Sequence, residues 1–344
     1  MHPEEMFMTR ATLRDVAAYA GVSHQTVSNV LNDHPSIRPT TRQRVMDAIR
    51  ALDYHPNVAA KALRESRVTT LCCAFYGHSA DEVADPYRNL VQSAFISEAN
   101  AHGYNITTAL LGGDRPGGFE GLRAAYMQRA FGGAVVVSTT LPPGRMRELA
   151  AWGLPTVLFD HEDPQGQLPS VTTDYAGGMA GLVAHLVSRG RRDLALVIPS
   201  DDFGSSAVLR REGFLAAARA HGVRSRIEAG AWSYEAGEAA FRRLWAGEDR
   251  PDAVLCGNDR MGAGALSAAR ALGVRVPEEV AVSGFDDFEF ARYTAPSLTT
   301  IHVPHEAMAR LAVRRLLSLL SGTAPPDEPP GCQLPVTLVP RESA

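Results

Sequence analysis

Near the start of the chain, two short stretches repeat apolar residues every three or four positions and meet at a glycine. In the first, Leu13, Val16, Ala17 and Ala20 follow the i, i+3, i+4, i+7 spacing of one buried helix face. Thr12-Leu-Arg-Asp15 reads as a capping box with Asp in place of the usual Glu or Gln, and Gly21 suits a left-handed C-terminal cap. Ser23 can cap a second helix in which Val27, Val30 and Leu31 face inward. At about 100° per residue, His24, Gln25, Ser28 and Asn29 then face outward. A third helix is predicted from Pro39, burying Val45, Ala48, Ile49 and Leu52. Pro56 ends it, and Asn57 can cap a short apolar helix over 58–64. That piece has too little apolar area to fold alone, so it reads as a segment that orders on a partner surface, with a simple linker as the alternative.

From residue 69 onward the pattern changes to short apolar runs alternating with helical segments. The runs are "TLCCAFY", "NITTALL", "AVVVS", "PTVLFD", "DLALVI", "AVLCG" and "VAVSGFD"; helices are predicted at 86–102, 176–189, 205–221, 234–246 and 259–271 among others. This alternation predicts parallel sheets with helices on both faces. Roughly eleven strands are too many for one ordinary open sheet, so two lobes are expected. The expected architecture is an all-α helix-turn-helix head followed by an α/β core of two doubly wound lobes.

Composition agrees with a chain of more than one domain: 344 residues, 45% hydrophobic and 21% charged. No apolar run reaches the roughly 18 residues of a membrane span, and "MHPEEMFMTR" lacks the form of a secretory leader. Cys72, Cys73, Cys256 and Cys332 show no metal or disulfide spacing, so reduced thiols and a cytoplasmic location are expected. Charge adds one asymmetry. Residues 8–67 hold nine Lys/Arg against five Asp/Glu, a net of +4 in a chain whose formal net charge is −4. A basic head on an acidic body suits an anionic partner, or is merely a solvated surface.

The outward row on the second helix is the first candidate for chemistry. A helix-turn-helix sets such a row against base edges in the major groove, where Gln25 can read adenine and His24 and Asn29 can bond to exposed edges. Arg42, Arg44, Arg50 and the Ser23 hydroxyl are candidate phosphate anchors. The second candidate lies at the C-terminal ends of the core strands, where open α/β sheets bind ligands. Asp160, Asn258-Asp259 and Asp286-Asp287 stand at such ends, Arg210 follows the loop "SDDFGSS", and Trp232 and Tyr87 add aromatic faces. Carboxylate, amide, guanidinium and ring together suit a polyhydroxylated ligand. Helix capping is the competing role for Asp259 and Asp287.

The stretch "TLRDVAAYAGVSHQTVSNVLN", with "TRQRV" and the spaced Ala-Leu, Tyr, Pro-Asn, Ala and Leu up to Leu63, resembles the DNA-binding head and hinge helix of lactose-repressor (LacI) family regulators. The similarity continues through "NDRMGAGAL" and "GFDD" to "LPVTLVPR", almost the whole chain. It implies double-stranded operator DNA as a partner, contacted by Thr12, Ser23, His24, Gln25, Thr26, Ser28, Asn29, Asn57, Ala60 and Leu63, with Leu63 as a minor-groove wedge. For the body it implies a periplasmic-binding-protein-like core with three crossing strands. Asp160, Arg210, Asn258 and Asp286 would then line an effector cleft, with Tyr87 and Trp232 beside them, and the expected effector is a sugar. Asn29 replaces a common Arg, Arg38 a capping Ser and Gly262 a common Ala, while Arg88 and His305 stand where aromatics are usual.

The expected domains are a head at 10–56, a hinge helix and linker at 57–67, and the effector-binding and dimerisation core at 68–344. Within the core, one lobe is expected from 68–172 plus 302–322 and the other from 173–301 plus 323–344. No leucine heptad follows "LVPRESA", so a homodimer is expected. Neither a cofactor nor a metal is expected. An enzyme is disfavoured because P-loop, G-x-S-x-G and H-E-x-x-H motifs are absent, and Pro304 interrupts the His302, His305, Glu306 cluster. A sugar-binding transport protein without a DNA function is the other alternative, disfavoured by the head and the lack of a signal peptide.

Overall fold

The computed structural model describes residues 11–31, 34–55, 68–77, 85–112, 118–138, 140–200, 205–323 and 329–344. The segment 57–67, with Asn57, Ala60 and Leu63, lies outside the described residues. The chain separates into two compact units, Met1–Arg67 and Val68–Ala344.

The first unit holds α1 (Leu13–Ala20), α2 (His24–Leu31) and α3 (Pro39–Ala51). The capping box forms: the Asp15 amide donates to Thr12 Oγ1 at 3.3 Å and the Thr12 amide to Asp15 Oδ2 at 2.7 Å. Gly21 ends α1 at φ 61°, in the left-handed region. Arg38 supplies no side-chain cap to α3. Instead Arg42 ties α3 to the last turn of α2 and the chain after it, donating to the carbonyls of Val30 (3.4 Å) and His34 (3.3 Å). The core joins Val16, Ala17, Ala20, Val27, Val30, Val45 and Ala48, as the periodicity predicts, and adds Tyr54 after α3.

In the second unit, β1 (Thr70–Tyr76), β2 (Asn105–Leu111), β3 (Ala134–Val137), β4 (Thr156–Phe159) and β5 (Ser170–Thr173) form a parallel sheet. Its strand order is β11-β5-β4-β3-β1-β2, with β11 (Gly331–Leu334) as an edge strand. A second parallel sheet has the order β7-β6-β8-β9, from β6 (Asp193–Pro199), β7 (Arg224–Gly230), β8 (Ala253–Cys256) and β9 (Ala281–Ser283). The intervening helices are α4 (Pro86–Ala101), α5 (Gly118–Met127), α6 (Pro143–Ala151), α7 (Tyr175–Ser188), α8 (Ser205–Ala220), α9 (Tyr234–Ala246), α10 (Asp259–Ala271) and α11 (His305–Ser321). Buried aliphatic runs such as Ala134–Val137 and Ala253–Cys256 make the central strands, as expected where helices cover both faces. These sheets confirm the two doubly wound lobes.

The C-terminal segment departs from the expected lobe boundary. Residues 323–344 do not belong wholly to the second lobe, because β11 pairs with β5 of the first sheet, from Gly331 against Ser170 to Leu334 against Thr173. The chain then returns. β12 (Thr337–Val339) pairs antiparallel with β10 (Thr300–His302), and Ser343 accepts from Val282 beside β9. Three passages therefore join the lobes: β5 into α7, β10 into α11, and β11 into β12.

In each sheet the chain leaves a central strand to one side and returns to the other: β1 has β2 and β3 as neighbours, and β6 has β7 and β8. The crevices at these switch points open at the carboxyl ends of the strands, where open α/β sheets bind ligands. Close helix packing fixes part of the second crevice. A Cβ on Gly237 would meet the Met261 carbonyl oxygen at 2.1 Å, and one on Gly264 the Tyr234 oxygen at 2.0 Å. Backbone-to-backbone contact thus locks α9, just after Trp232, against α10, which follows Asn258.

Candidate functional sites

A cavity of about 190 Å³ lies between the strand ends of the two lobes. The first lobe supplies Tyr76, Asp85, Tyr87, Thr140 and Asp160; the second supplies Ser206, Arg210, Trp232, Asn258, Arg260 and Asp286. Tyr87, Asp160, Arg210, Trp232, Asn258 and Asp286, the residues expected from the sequence, all line this one cavity. Arg88 does not; its guanidinium packs over Phe75, 5.6 Å from the ring centroid.

Asp160 follows β4 with φ 60°, a turn that aspartate tolerates better than most residues, and it is buried. It accepts from two hydroxyls, Tyr87 of α4 and Tyr175 of α7, the latter at 2.5 Å. Burial, then the charge of Asp160, pushes both tyrosine hydroxyls well above their ordinary range, so they remain donors at neutral pH.

On the opposite wall Arg210 donates from Nη2 to Asp286 Oδ1 at 3.1 Å. Its guanidinium lies 4.3 Å from the Tyr175 ring, 4.4 Å from Phe285 and 5.2 Å from Trp232. Aromatic faces of this kind hold a cation in place while leaving its N–H edges available. Asn258, rather than Asp259, caps α10, accepting from the Met261 amide at 2.9 Å. Asp259 is buried and accepts from Thr300 Oγ1 at 2.5 Å and the Phe288 amide at 2.7 Å. Burial, then the charge of Asp286, raises its carboxyl well above the carboxylate range. Asp287 does not cap a helix either; it binds His302 (3.1 Å) and Arg341 (2.5 Å). His302, His305 and Glu306 are directed apart: His305 faces Asp286, and Glu306 pairs with Arg310.

Several wall residues escaped sequence reasoning. Ser206 sits one turn before Arg210 on α8, and Arg260 follows the "ND" of α10, so both adjoin positions already singled out. Tyr175 and Phe288 carry no sequence signal beyond being apolar near a strand end. Arg260 reaches Asp85 across the cavity at 4.0 Å.

In the head, His24 and Gln25 are exposed, and Gln25 Nε2 donates to Asn29 Oδ1 at 3.0 Å. Ser23 Oγ accepts from the Thr26 amide at 3.1 Å and lies 2.9 Å from Thr26 Oγ1. Thr12 Oγ1 donates to Asp15 at 2.7 Å. Ser28 does not face outward as expected; it is buried. At about 100° per residue it falls only about 60° around the helix from Leu31, inside the margin of the covered face. Of the candidate phosphate anchors, Arg44 is exposed, Arg50 pairs with Asp47, and Arg42 is engaged with carbonyls.

A helix-turn-helix head joined to a two-lobed core with a polar interlobe cavity defines a DNA-binding regulator governed by a small molecule. Comparison with known proteins agrees. Bacterial regulatory proteins of the lacI family match residues 12–57, and a periplasmic-binding-protein-like domain matches residues 183–344. The transcriptional repressor PurR of Erwinia tasmaniensis is 32% identical over 97% of this chain and 96% of its own length. The transcriptional regulator MalR of Streptomyces coelicolor is 35% identical over 91% of each chain. The lac repressor dimer bound to operator and the anti-inducer ONPF superposes with a TM-score of 0.86 at 28% identity, over 97% of this chain and 99% of that one. A CelR–cellobiose complex does so with a TM-score of 0.73 at 29% identity, over 97% and 100%. The chain belongs to the lactose-repressor (LacI) family of transcriptional regulators. It is a DNA-binding regulator with an effector-binding core, and the family is not one of enzymes. Among the described residues no helix is long and apolar enough to cross a membrane.

Proposed function

We propose that this regulator is a repressor that binds a near-palindromic operator as a homodimer and answers to a sugar in the interlobe cavity. The observation that carries the effector reading is the composition of the wall. Asp160 and Asp286 accept, Arg210 and Asn258 offer N–H groups, and Trp232 gives an apolar face, the set a polyhydroxylated ring requires. Cellobiose in a similar core supports the same reading. On the DNA side, Gln25 and Asn29 read bases, His24 and Thr26 flank them, and Thr12 and Ser23 contribute at the rim. In the segment 57–67, Asn57, Ala60 and Leu63 meet the minor groove.

Each head covers one half-site, so a dimer matches a two-fold operator. Linkage then requires that an effector favouring one state change operator affinity by the same coupling factor. The test is a titration of the upstream DNA of the protein's own gene, with and without cellobiose, maltose, D-glucose, D-galactose or hypoxanthine. A shift in operator affinity with a sugar supports the reading; a shift with hypoxanthine alone overturns it. Equal affinity for random and upstream DNA would overturn specific recognition.

A further inference from the structure

Within the cavity wall, several polar atoms are buried without a hydrogen-bond partner: Ser206 Oγ, Arg210 Nε and both ring nitrogens of His305. Such atoms are uncommon in folded proteins, and four of them lining one cavity are partners available to a ligand's polar groups. His305 is the one with two such atoms, Nδ1 and Nε2, on a single ring. It is the first residue of α11, directly after the β10 passage between the lobes. Its side chain is only 2% exposed.

The ring is held from both lobes. Phe288, which follows β9, lies parallel to it at 5.8 Å and 8°, and Tyr87 of α4 stands nearly perpendicular at 5.3 Å and 79°. Nε2 is 3.6 Å from Asp286 Oδ1, beyond hydrogen-bond range, and that oxygen already accepts from Arg210. The packing therefore fixes the ring while leaving its nitrogen edge unsatisfied.

We propose that His305 is a specificity-determining residue that reads a hydroxyl group of the effector through a ring nitrogen, not by stacking on it. A neutral imidazole presents one N–H and one lone pair, and a hydroxyl both donates and accepts, so the two match in either direction. With Phe288 parallel to the ring, the nitrogen edge is the feature left for recognition. An apolar group of the ligand placed there would leave both nitrogens unpaired and would be rejected, whereas a phenyl ring at this position would accept it. The inference rests on the sugar reading and narrows it: the effector presents a hydroxyl to the corner formed by His305, Asp286 and Tyr87.

Two measurements on the full chain test it. The first uses no ligand. His305→Phe keeps a ring beside Phe288 and removes the two unpaired nitrogens, so its melting temperature is expected to equal or exceed that of the wild type. A clear fall would mean the nitrogens serve the fold, and would overturn the proposal. The second is calorimetric titration with cellobiose, maltose, D-glucose and D-galactose. For whichever binds the wild type, His305→Phe is expected to lose about tenfold or more in affinity, and His305→Gln, which restores a donor and an acceptor, to recover part of it. Equal affinity of the wild type and His305→Phe overturns the proposal. If none of the four binds the wild type, the sugar reading fails, and the melting comparison alone decides the role of His305.

Discussion

Arg210 Nη2 and Asp286 Oδ1 lie 3.1 Å apart in the wall of the cavity, and both side chains are almost wholly buried. The guanidinium comes from α8 and the carboxylate from the turn after β9, so the pair joins two elements of the second lobe before any ligand arrives. Removing one partner strands the other charge in a low-dielectric site, a loss of about 3–5 kcal/mol in comparable cases. Arg210→Met and Asp286→Asn are therefore expected each to lower stability, with the double variant recovering part of the loss. Urea unfolding of the four proteins measures the coupling, and strictly additive losses would refute it. Loss of effector response in either single variant reports on the cavity only where the protein still unfolds cooperatively.

Asp160 depends on the same kind of sharing, with two tyrosines in place of an arginine. Because the Tyr87 and Tyr175 hydroxyls are raised above the ordinary tyrosine value of 10.0, the folded state holds their protons where the unfolded chain would release them. Their contribution to stability is complete below pH 10 and falls as pH rises beyond it. Spectrophotometric titration should show two tyrosines that ionise only with alkaline unfolding. Asp160→Asn keeps a residue suited to positive φ but exchanges one acceptor for a donor, so one tyrosine should lose its acceptor and the melting temperature should fall. A variant that melts like the wild type would sink this account.

In the head, the bond from Gln25 Nε2 to Asn29 Oδ1 pre-sets the Gln25 amide, and its Oε1 remains to face a base. Gln25→Ala is expected to relax preference at one or two operator positions, each lost base contact costing about 1–3 kcal/mol. Asn29→Ala should blur the same positions less strongly, because it frees Gln25 without deleting it. Selection from a randomised half-site separates the two outcomes. If the variants blur different positions, the amides read independently.

Much of this was legible in the chain because local rules and the fold agree. The capping box at Thr12, the glycine at 21 and the apolar arcs of three helices each appear as the periodicity predicts. Polar residues at the ends of apolar runs located Asp160, Asn258 and Asp286. What stayed hidden depends on neighbours. β7 is an edge strand whose solvated residues alternate, so "RSRIEAG" shows no apolar run, and "GCQL" becomes β11 only because β5 offers it an edge. The burial of Ser28 was within reach of the pattern, since it lies only about 60° around α2 from Leu31, at the margin of the apolar face rather than opposite it. That Asn258 rather than Asp259 caps α10 follows from Thr300 and the Phe288 amide claiming the carboxylate, contacts 41 and 29 residues distant in sequence.

Arg260 and Asp85 meet across the cavity, and the pair belongs to both lobes: Asp85 caps α4 of the first, and Arg260 lies in the first turn of α10 in the second. At 4.0 Å, with the Arg260 side chain 28% exposed, the contact is weak and partly solvated. Pairs of this kind contribute less than about 1 kcal/mol. Arg260→Gln should therefore leave global unfolding nearly unchanged. Moving the lobes apart must break the contact, however, so its loss should appear in the rate at which a bound effector leaves. A few-fold faster dissociation is expected at low salt, followed by the ligand-dependent change in tryptophan fluorescence, to which Trp232 in the cavity wall contributes. Because solvent ions screen a partly exposed pair, the difference between variant and wild type should shrink as ionic strength rises toward about 1 M, where the screening length is about 3 Å. Asp85→Asn should reproduce the effect, and the two changes together should add little to either alone. If Arg260→Gln releases effector faster by the same factor at every salt concentration, Arg260 touches the ligand directly and the charge pair across the cavity does not govern release.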